Sequence, residues 1–431
     1  MIEEMECGSA CTGKLAEGCE HCINGSKMVL LVTGKCQWGC EYCPVSLEKK
    51  GKDVIYANEA RVFTDEEIIA EAESMDATGT GITGGDPLAC MERTVHMIRM
   101  LKERFGPEHH IHLYTATIDP RKAAALEEAG LDEIRFHPPR PMWTHMEDTM
   151  LAEIVSSSGM DVGIEVPAIP GADADLCALM GYAEKTGIRF VNLNELEFSE
   201  SNWDMMDANG YEVRDDVSAA VLGSEETARN VMEKCPGANI HFCSSPFKDG
   251  VQLRRRLIRR AEHICKDYQA ITEDGTLVRG FVYAKDLDAA ADALRGLGVE
   301  EDMMALLEGK IEVAPWILEE IAGDLGFRCV ISEQYPTADA LEVERTPLNR
   351  REPEENALRK MVYDVSPAAP GRTEGDRTQS TLRLWISWCL FTMSLAMRRF
   401  FPAFPMARPL SLGSTVTVAC VMFPRCSITT F

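Results

Sequence analysis

Sixteen cysteines are spread over 431 residues, and three of them fall in one short run, Cys36-Gln-Trp-Gly-Cys40-Glu-Tyr-Cys43. One specified three-cysteine spacing in a chain of this composition is expected by chance roughly 0.02 times. Three closely spaced thiolates can hold three irons of a [4Fe-4S] cluster, which normally takes four cysteines. The fourth iron is then open to bind a small molecule and pass it an electron. A zinc site completed from elsewhere and a set of free thiols are the alternatives that the spacing leaves. A second set, Cys7-x3-Cys11-x7-Cys19-x2-Cys22, lies on a Gly-rich segment with little apolar content. Such a segment folds poorly unless something ties it together, and a metal can do so. Cys19-x2-Cys22 has common ligand spacing and Cys7-x3-Cys11 is looser, so zinc, a second iron-sulfur cluster and no metal all stay open. Cys90, Cys177, Cys235 and Cys329 read as small apolar residues of the core.

Positioning these groups is the work of an alternating pattern between Lys27 and Ser199. Six β-rich runs, Met28 to Thr33, Gly79 to Thr83, Ile111 to Ala116, Glu133 to His137, Val162 to Val166 and Arg189 to Leu193, alternate with helical stretches. That order builds a parallel sheet through crossover helices. Thr64 with Glu67 and Thr144 with Glu147 fit capping boxes, and Asp119-Pro120 fits a cap before a first-turn proline. The expected fold is α/β, a partial (β/α)6 TIM-like barrel with its mouth at the C-terminal strand ends. A Cys-rich segment (1–26) precedes the barrel (27–200). A mostly helical extension (201–275), a small α/β region (276–345), and a linker with a loosely ordered basic tail (346–431) follow.

Polar residues at the strand ends are the weaker candidates. Arg135 and His137 end the fourth run, Glu165 lies in the fifth, and Asn192, Asn194, Glu195 and Glu197 crowd the sixth. A buried parallel strand is nearly apolar, so Asn-Leu-Asn-Glu-Leu-Glu-Phe reads either as side chains aimed at the barrel mouth or as alternation toward solvent. His241-Phe242-Cys243 can bring an imidazole and a thiol to the site, although a lone His-x-Cys is usually structural. Arg254-Arg255-Arg256 with Arg259-Arg260 can grip phosphate of an RNA or nucleotide, or dock one helix on an acidic domain.

Charge narrows the partners. With 44 Lys+Arg against 69 Asp+Glu the net charge is −25, which repels nucleic acid and anionic lipid at long range. From Arg377 onward there are six Arg and no acidic residue, and Leu384 to Met397 is a mostly apolar run. It falls short of the roughly 20 residues of a spanning helix, which leaves a loosely ordered extension, an interfacial anchor or a docking helix, and no membrane partner is the expectation. The acidic start, Met1-Ile2-Glu3-Glu4-Met5-Glu6, does not resemble a secretion signal, and a cytoplasmic location with reduced cysteines is the expectation.

Cys36, Cys40, Tyr42 and Cys43 match, position by position, the Cys-x3-Cys-x-aromatic-Cys hallmark of the radical S-adenosylmethionine (SAM) superfamily, which the chain resembles from about Lys27 to Ser199. Gly84-Gly85-Asp86-Pro87 resembles the family's Gly-Gly-Glu-Pro-like turn after the second strand, with Asp where Glu is commonest. The resemblance implies that the open iron is chelated by the amino and carboxylate groups of SAM. It further places Tyr42 near the adenine and Gly84, Gly85, Asp86 and Pro87 near the amino group, with His137, Glu165, Asn192 and Asn194 as candidates for further cofactor contacts. It implies reductive cleavage of SAM to a 5′-deoxyadenosyl radical that abstracts hydrogen from a substrate, and an electron donor such as ferredoxin or flavodoxin. More closely, the chain resembles a mainly archaeal branch described as related to pyruvate formate-lyase activating enzymes. That leaves a glycyl-radical enzyme activase, an RNA-modifying enzyme and a small-molecule enzyme as readings of the substrate. A metal-stabilised binding protein without turnover is the rival from another class, and Gly84 to Pro87 has no task in it.

Overall fold

The computed structural model describes residues 1–215 and 218–349; the apolar run at 384–397 and the rest of the basic tail lie outside the described residues. Seven parallel strands form the centre: β1 (Lys27–Leu31), β2 (Gly79–Thr83), β3 (His110–Thr115), β4 (Glu133–Phe136), β5 (Asp161–Ala168), β6 (Phe190–Glu195) and β7 (Ile240–Cys243). They are hydrogen-bonded in that order. All six expected strands are present within a few residues of their expected ends. The seventh comes from His241-Phe242-Cys243, inside the segment expected to be mostly helical. Four residues are too few to show a period, which is why the pattern did not mark it.

Along these strands side chains alternate, as the two-residue repeat requires. One set is apolar and packs under the crossover helices, including Ile111, Leu113, Ile134, Phe136, Ile164, Val191, Leu193, Ile240 and Phe242. The other set points into the barrel and is polar: Lys27, His110, His112, Tyr114, Glu133, Arg135, Glu165, Asn192 and His241, all buried. Asn192 and Asn194 of β6 therefore face the barrel interior, where both donate to Glu165, while Glu195 falls on the other face of the strand. Gly81 makes room there, since a Cβ on it would lie 2.7 Å from the His112 ring.

Helix starts follow local chemistry. The helix Asp65–Ser74 carries the full Thr64/Glu67 capping box, and Asp119 caps Pro120–Ala129 through the N–H groups of Arg121 and Lys122. Thr144 caps nothing: Met146–Asp148 is a 3-10 turn, and the helix of this unit begins at Leu151.

The N-terminal segment is not a separate unit. Its strand Ala10–Cys11 pairs antiparallel with β7, and the helix α1 (Glu17–Ile23) enters the barrel from the N-terminal ends of the strands. There Gly18 N–H donates to the Glu133 carboxylate at 3.1 Å. A Cβ on Gly18 would sit 2.6 Å from both Arg135 and His112, so only glycine lets the helix come so close.

Behind the barrel, β8 (Leu277–Tyr283), β9 (Met304–Leu307), β10 (Lys310–Val313), β11 (Arg328–Gln334) and β12 (Glu342–Pro347) form an antiparallel sheet in the order β9-β10-β8-β11-β12. The helices Leu287–Gly296 and Pro315–Ile321 pack their apolar sides on it around Val282, Ile311 and Val313. The expected small α/β region is thus a β-α-β-β-α-β unit with one further strand.

Candidate active site

The loop 36–43 leaves β1 at the C-terminal mouth of the barrel, and its ends are pinned. Asp53 accepts from Thr33, Lys35 and Arg93 at 3.1, 3.0 and 2.6 Å. These cations hold its carboxyl well below the ordinary range. On the far side, Asn202 donates to the Tyr42 carbonyl at 3.1 Å and Ser201 to the Cys43 carbonyl at 3.0 Å. Asp53, Arg93, Ser201 and Asn202 were missed in the sequence because each is remote from the motif and carries no spacing signal.

Cys36, Cys40 and Cys43 line one cavity of about 390 Å³ together with Tyr42, Gly84, Gly85, Tyr114, Thr115 and His137. That volume lies within the range of small-molecule sites. Burial pushes the Cys36 and Cys40 thiols up. Tyr42 is also raised by burial, and its hydroxyl makes no hydrogen bond of ordinary geometry. The Tyr42 and His137 rings lie 5.8 Å apart. A second cavity of about 400 Å³ lies against the loop, between Trp38 to Tyr42 and Arg140, Ile169, Leu196 and Tyr211.

Gly84 and Gly85 run against the start of the loop. Gly85 N–H donates to the Thr33 carbonyl at 2.7 Å and Asp86 N–H to that of Lys35 at 2.8 Å. A Cβ on Gly84 would meet the Thr33 oxygen at 2.5 Å, and one on Gly85 the Lys35 oxygen at 2.3 Å. The Asp86 carboxylate is occupied by the protein. It accepts from Leu88 N–H at 3.0 Å, Thr115 hydroxyl at 2.7 Å and Thr117 hydroxyl at 2.6 Å, and so caps the turn that Pro87 opens.

The other candidates divide by depth. His137 lines the main cavity, and Asn194 joins it and Tyr42 around a smaller one of about 40 Å³ whose wall includes Lys248. Lys248, which sequence reading missed, is buried and donates to Glu197 at 2.7 Å. Glu165 and Asn192 lie further in. Glu165 accepts from Arg135 at 2.7 Å, Asn192 at 2.8 Å and Asn194 at 2.9 Å. Burial alone would raise it, but the Arg135 charge and the two amide donors win and bring it down to about 2. Glu195 is tied to Arg214 and to Ser245 N–H.

The four N-terminal cysteines do not converge. Cys7 is exposed, Cys11 sits on the strand beside β7, and Cys19 and Cys22 lie on α1. Among the described residues, no three His, Cys, Asp or Glu side chains already stand at metal-binding distance, the 36–43 thiols included. Of the remaining cysteines, Cys329 is buried and Cys90, Cys177 and Cys235 are half-buried.

The arginine helix α2 (Arg254–Ile264) is occupied internally. Arg254 pairs with Asp274, Arg255 with Glu6, Arg256 with Glu59, Arg259 with Asp76 and Arg260 with Glu71. It docks on an acidic surface instead of presenting cations to a phosphate.

Comparison with known proteins agrees with the motif. A family model described as the radical SAM superfamily matches residues 30–138, and one described as a domain of unknown function (DUF8061) matches residues 275–348. A protein of Methanocaldococcus jannaschii named "Putative glycyl-radical enzyme activating enzyme" is 41% identical over 351 residues, which is 78% of this chain and 93% of the relative. Among solved structures, the radical SAM methyltransferase TsrM from Kitasatospora setae aligns with a TM-score of 0.33 and 12% identity over 56% of this chain. The alignment spans 52% of TsrM, about half its length. HydG, a maturase of the [FeFe]-hydrogenase, aligns with a TM-score of 0.35 and 14% identity over 58% of this chain and 69% of its own. No helix among the described residues is long and apolar enough to cross a membrane. The chain belongs to the radical SAM superfamily, in one family with the archaeal relative, and is an enzyme that uses a [4Fe-4S] cluster and SAM.

Proposed function

We propose that Cys36, Cys40 and Cys43 bind the cluster and that SAM lies in the adjoining cavity, with hydrogen abstraction from a glycine of a protein partner as the reaction. The carrying observation is that the three thiols, two glycines without side chains and the buried Tyr42 hydroxyl share one cavity at the C-terminal mouth of the barrel. A soft three-thiolate donor set and a space of ligand size fit both groups. When bound, they supply one-electron cleavage of SAM and the hydrogen abstraction that follows.

The chain's own residues position and enclose. Gly84 and Gly85 let their turn pack on the start of the 36–43 loop, where a Cβ would collide with the Thr33 and Lys35 carbonyls. Asp86 and Pro87 act on this reading by fixing the turn, since the Asp86 oxygens are already committed. Tyr42 and His137 flank the adenosine, Asn194 stands at the edge, and Glu165 and Asn192 hold the barrel interior below. Trp38 and Met205 border the opening and are exposed, as is the neighbouring Trp203. They give an apolar rim to a partner surface. The glycine substrate is supported by the name of the archaeal relative; the engaged arginines of α2 leave the RNA reading without an observation of its own.

Anaerobic reconstitution with iron and sulfide, then SAM and a reductant, tests the chemistry. Wild type is expected to form 5′-deoxyadenosine and Cys40→Ala to form none, and equal product from both removes the assignment. A glycyl-radical enzyme supplied as substrate should acquire the glycyl signal in electron paramagnetic resonance. Product without that signal keeps the chemistry and rejects this substrate.

A further inference from the structure

Three thiols that the cluster does not use approach one another where α1 meets β7. Cys19 and Cys22 are one helical turn apart on the same face of α1. Gln252, in the turn that leads into α2, bridges to the third: its Oε1 accepts the Cys22 thiol at 3.0 Å, and its Nε2 donates to the Cys243 sulfur at 3.4 Å. The Cys19 sulfur accepts from Asn192 at 3.3 Å and Arg135 at 3.4 Å. The Cys19 and Cys243 sulfurs thus each accept from a donor that suits a metal-bound thiolate, and Arg135 supplies compensating charge, whereas Cys22 donates to an acceptor that must turn once its proton is lost.

A separate observation concerns His241. It precedes Cys243 by two residues on β7, so both face the barrel interior. It is only 4% exposed, and neither ring nitrogen has a hydrogen-bond partner. Its register neighbour on β6 is Asn192, whose Oδ1 is also buried without a partner and whose amide already touches Cys19. Leaving three such atoms unsatisfied is costly. A metal on one ring nitrogen, with the other donating to Asn192 Oδ1, accounts for all three.

We propose that Cys19, Cys22 and Cys243, completed by His241, hold a single zinc ion that ties the N-terminal segment to the last barrel strand. Three sulfurs and one imidazole are a closed structural zinc set. Loading releases the thiol protons and turns the Gln252 amide aside. Cys7 and Cys11 have no part in it.

The test uses the full chain carrying Cys36→Ala, Cys40→Ala and Cys43→Ala, which removes the first metal site. Expected is about one zinc per chain by elemental analysis. A further Cys243→Ser or Cys22→Ser should lower it at least about tenfold, whereas Cys7→Ser with Cys11→Ser should leave it. Cobalt in place of zinc should give thiolate-to-metal charge-transfer absorption that weakens in Cys22→Ser. If Cys243→Ser does not fold, His241→Gln in the same background should give up its zinc to a chelator faster than the parent. Absence of metal from the triple variant, iron with sulfide in place of zinc, or loss of zinc with Cys7 and Cys11 overturns the proposal.

Discussion

Arg135 sets the electrostatics of the barrel interior. Its guanidinium pairs with Glu133 and Glu165 and is itself buried. Removing one partner of a buried ion network leaves its opposite charges unpaired, at about 3–5 kcal/mol. Arg135→Met should therefore lose that much in denaturant unfolding at pH 7. Glu165 sits at about 2 chiefly because Arg135 and two amides outweigh burial. Without the guanidinium it rises, so the variant's deficit should shrink as pH is lowered to about 5. A deficit that grows on acidification would mean that Glu133 and Glu165 are not the residues left stranded. That Cys36, Cys40 and Cys43 share one cavity was legible from their spacing, because a ligand set needs sequence proximity that little else demands. Asp53, Arg93 and Lys248 were not, because a partner in space leaves no mark on the order of residues.

At the scale of elements, the two glycine contacts make different predictions. Gly84→Ala puts a methyl against a backbone oxygen at 2.5 Å, which cannot move without shifting the loop. Loss of 5′-deoxyadenosine formation by about 100-fold or more, with near-native melting, is expected, as for a misplacement of about 1 Å at a reacting centre. Gly18→Ala collides with the ends of Arg135 and His112 side chains, so its effect should be on stability, about 1–3 kcal/mol as for overpacking. Calorimetry of both variants separates them, and a Gly84→Ala that melts early but turns over normally would reverse the assignment. Strand and crossover order was legible because the outer face of each strand is apolar at a two-residue period. The inward polar face was read only as reaching the mouth or solvent, since the sequence does not say what fills a barrel.

For the whole molecule, acid is the informative variable. Burial is the leading cause that lowers His109 and His110 to about 4. The unfolded chain takes up these protons near the ordinary value of 6.5 while the folded chain does not. Stability is therefore full above that pH and is lost as pH falls from 6.5 toward 4, by up to about 1.4 kcal/mol per pH unit for each histidine. Thermal midpoints should fall steeply over that interval, and His109→Gln should flatten the slope. A midpoint unchanged between pH 7 and 5 would contradict it. Salt should have little effect on the docking of α2, since Arg256, Arg260 and Glu71 are buried, Glu59 is only partly exposed, and these pairs are poorly screened.

The pairing of Ala10–Cys11 with β7, and the contact of α1 with Gln252, join the first twenty-odd positions to ones more than two hundred further along. During synthesis on the ribosome the strand Ala10–Cys11 must wait for its partner until β7 has emerged. A nascent chain arrested at about residue 200 should thus leave its first segment open to protease, and one arrested past about residue 290, with some thirty residues still in the exit tunnel, should protect it. A strand made early is thus among the last to find its place.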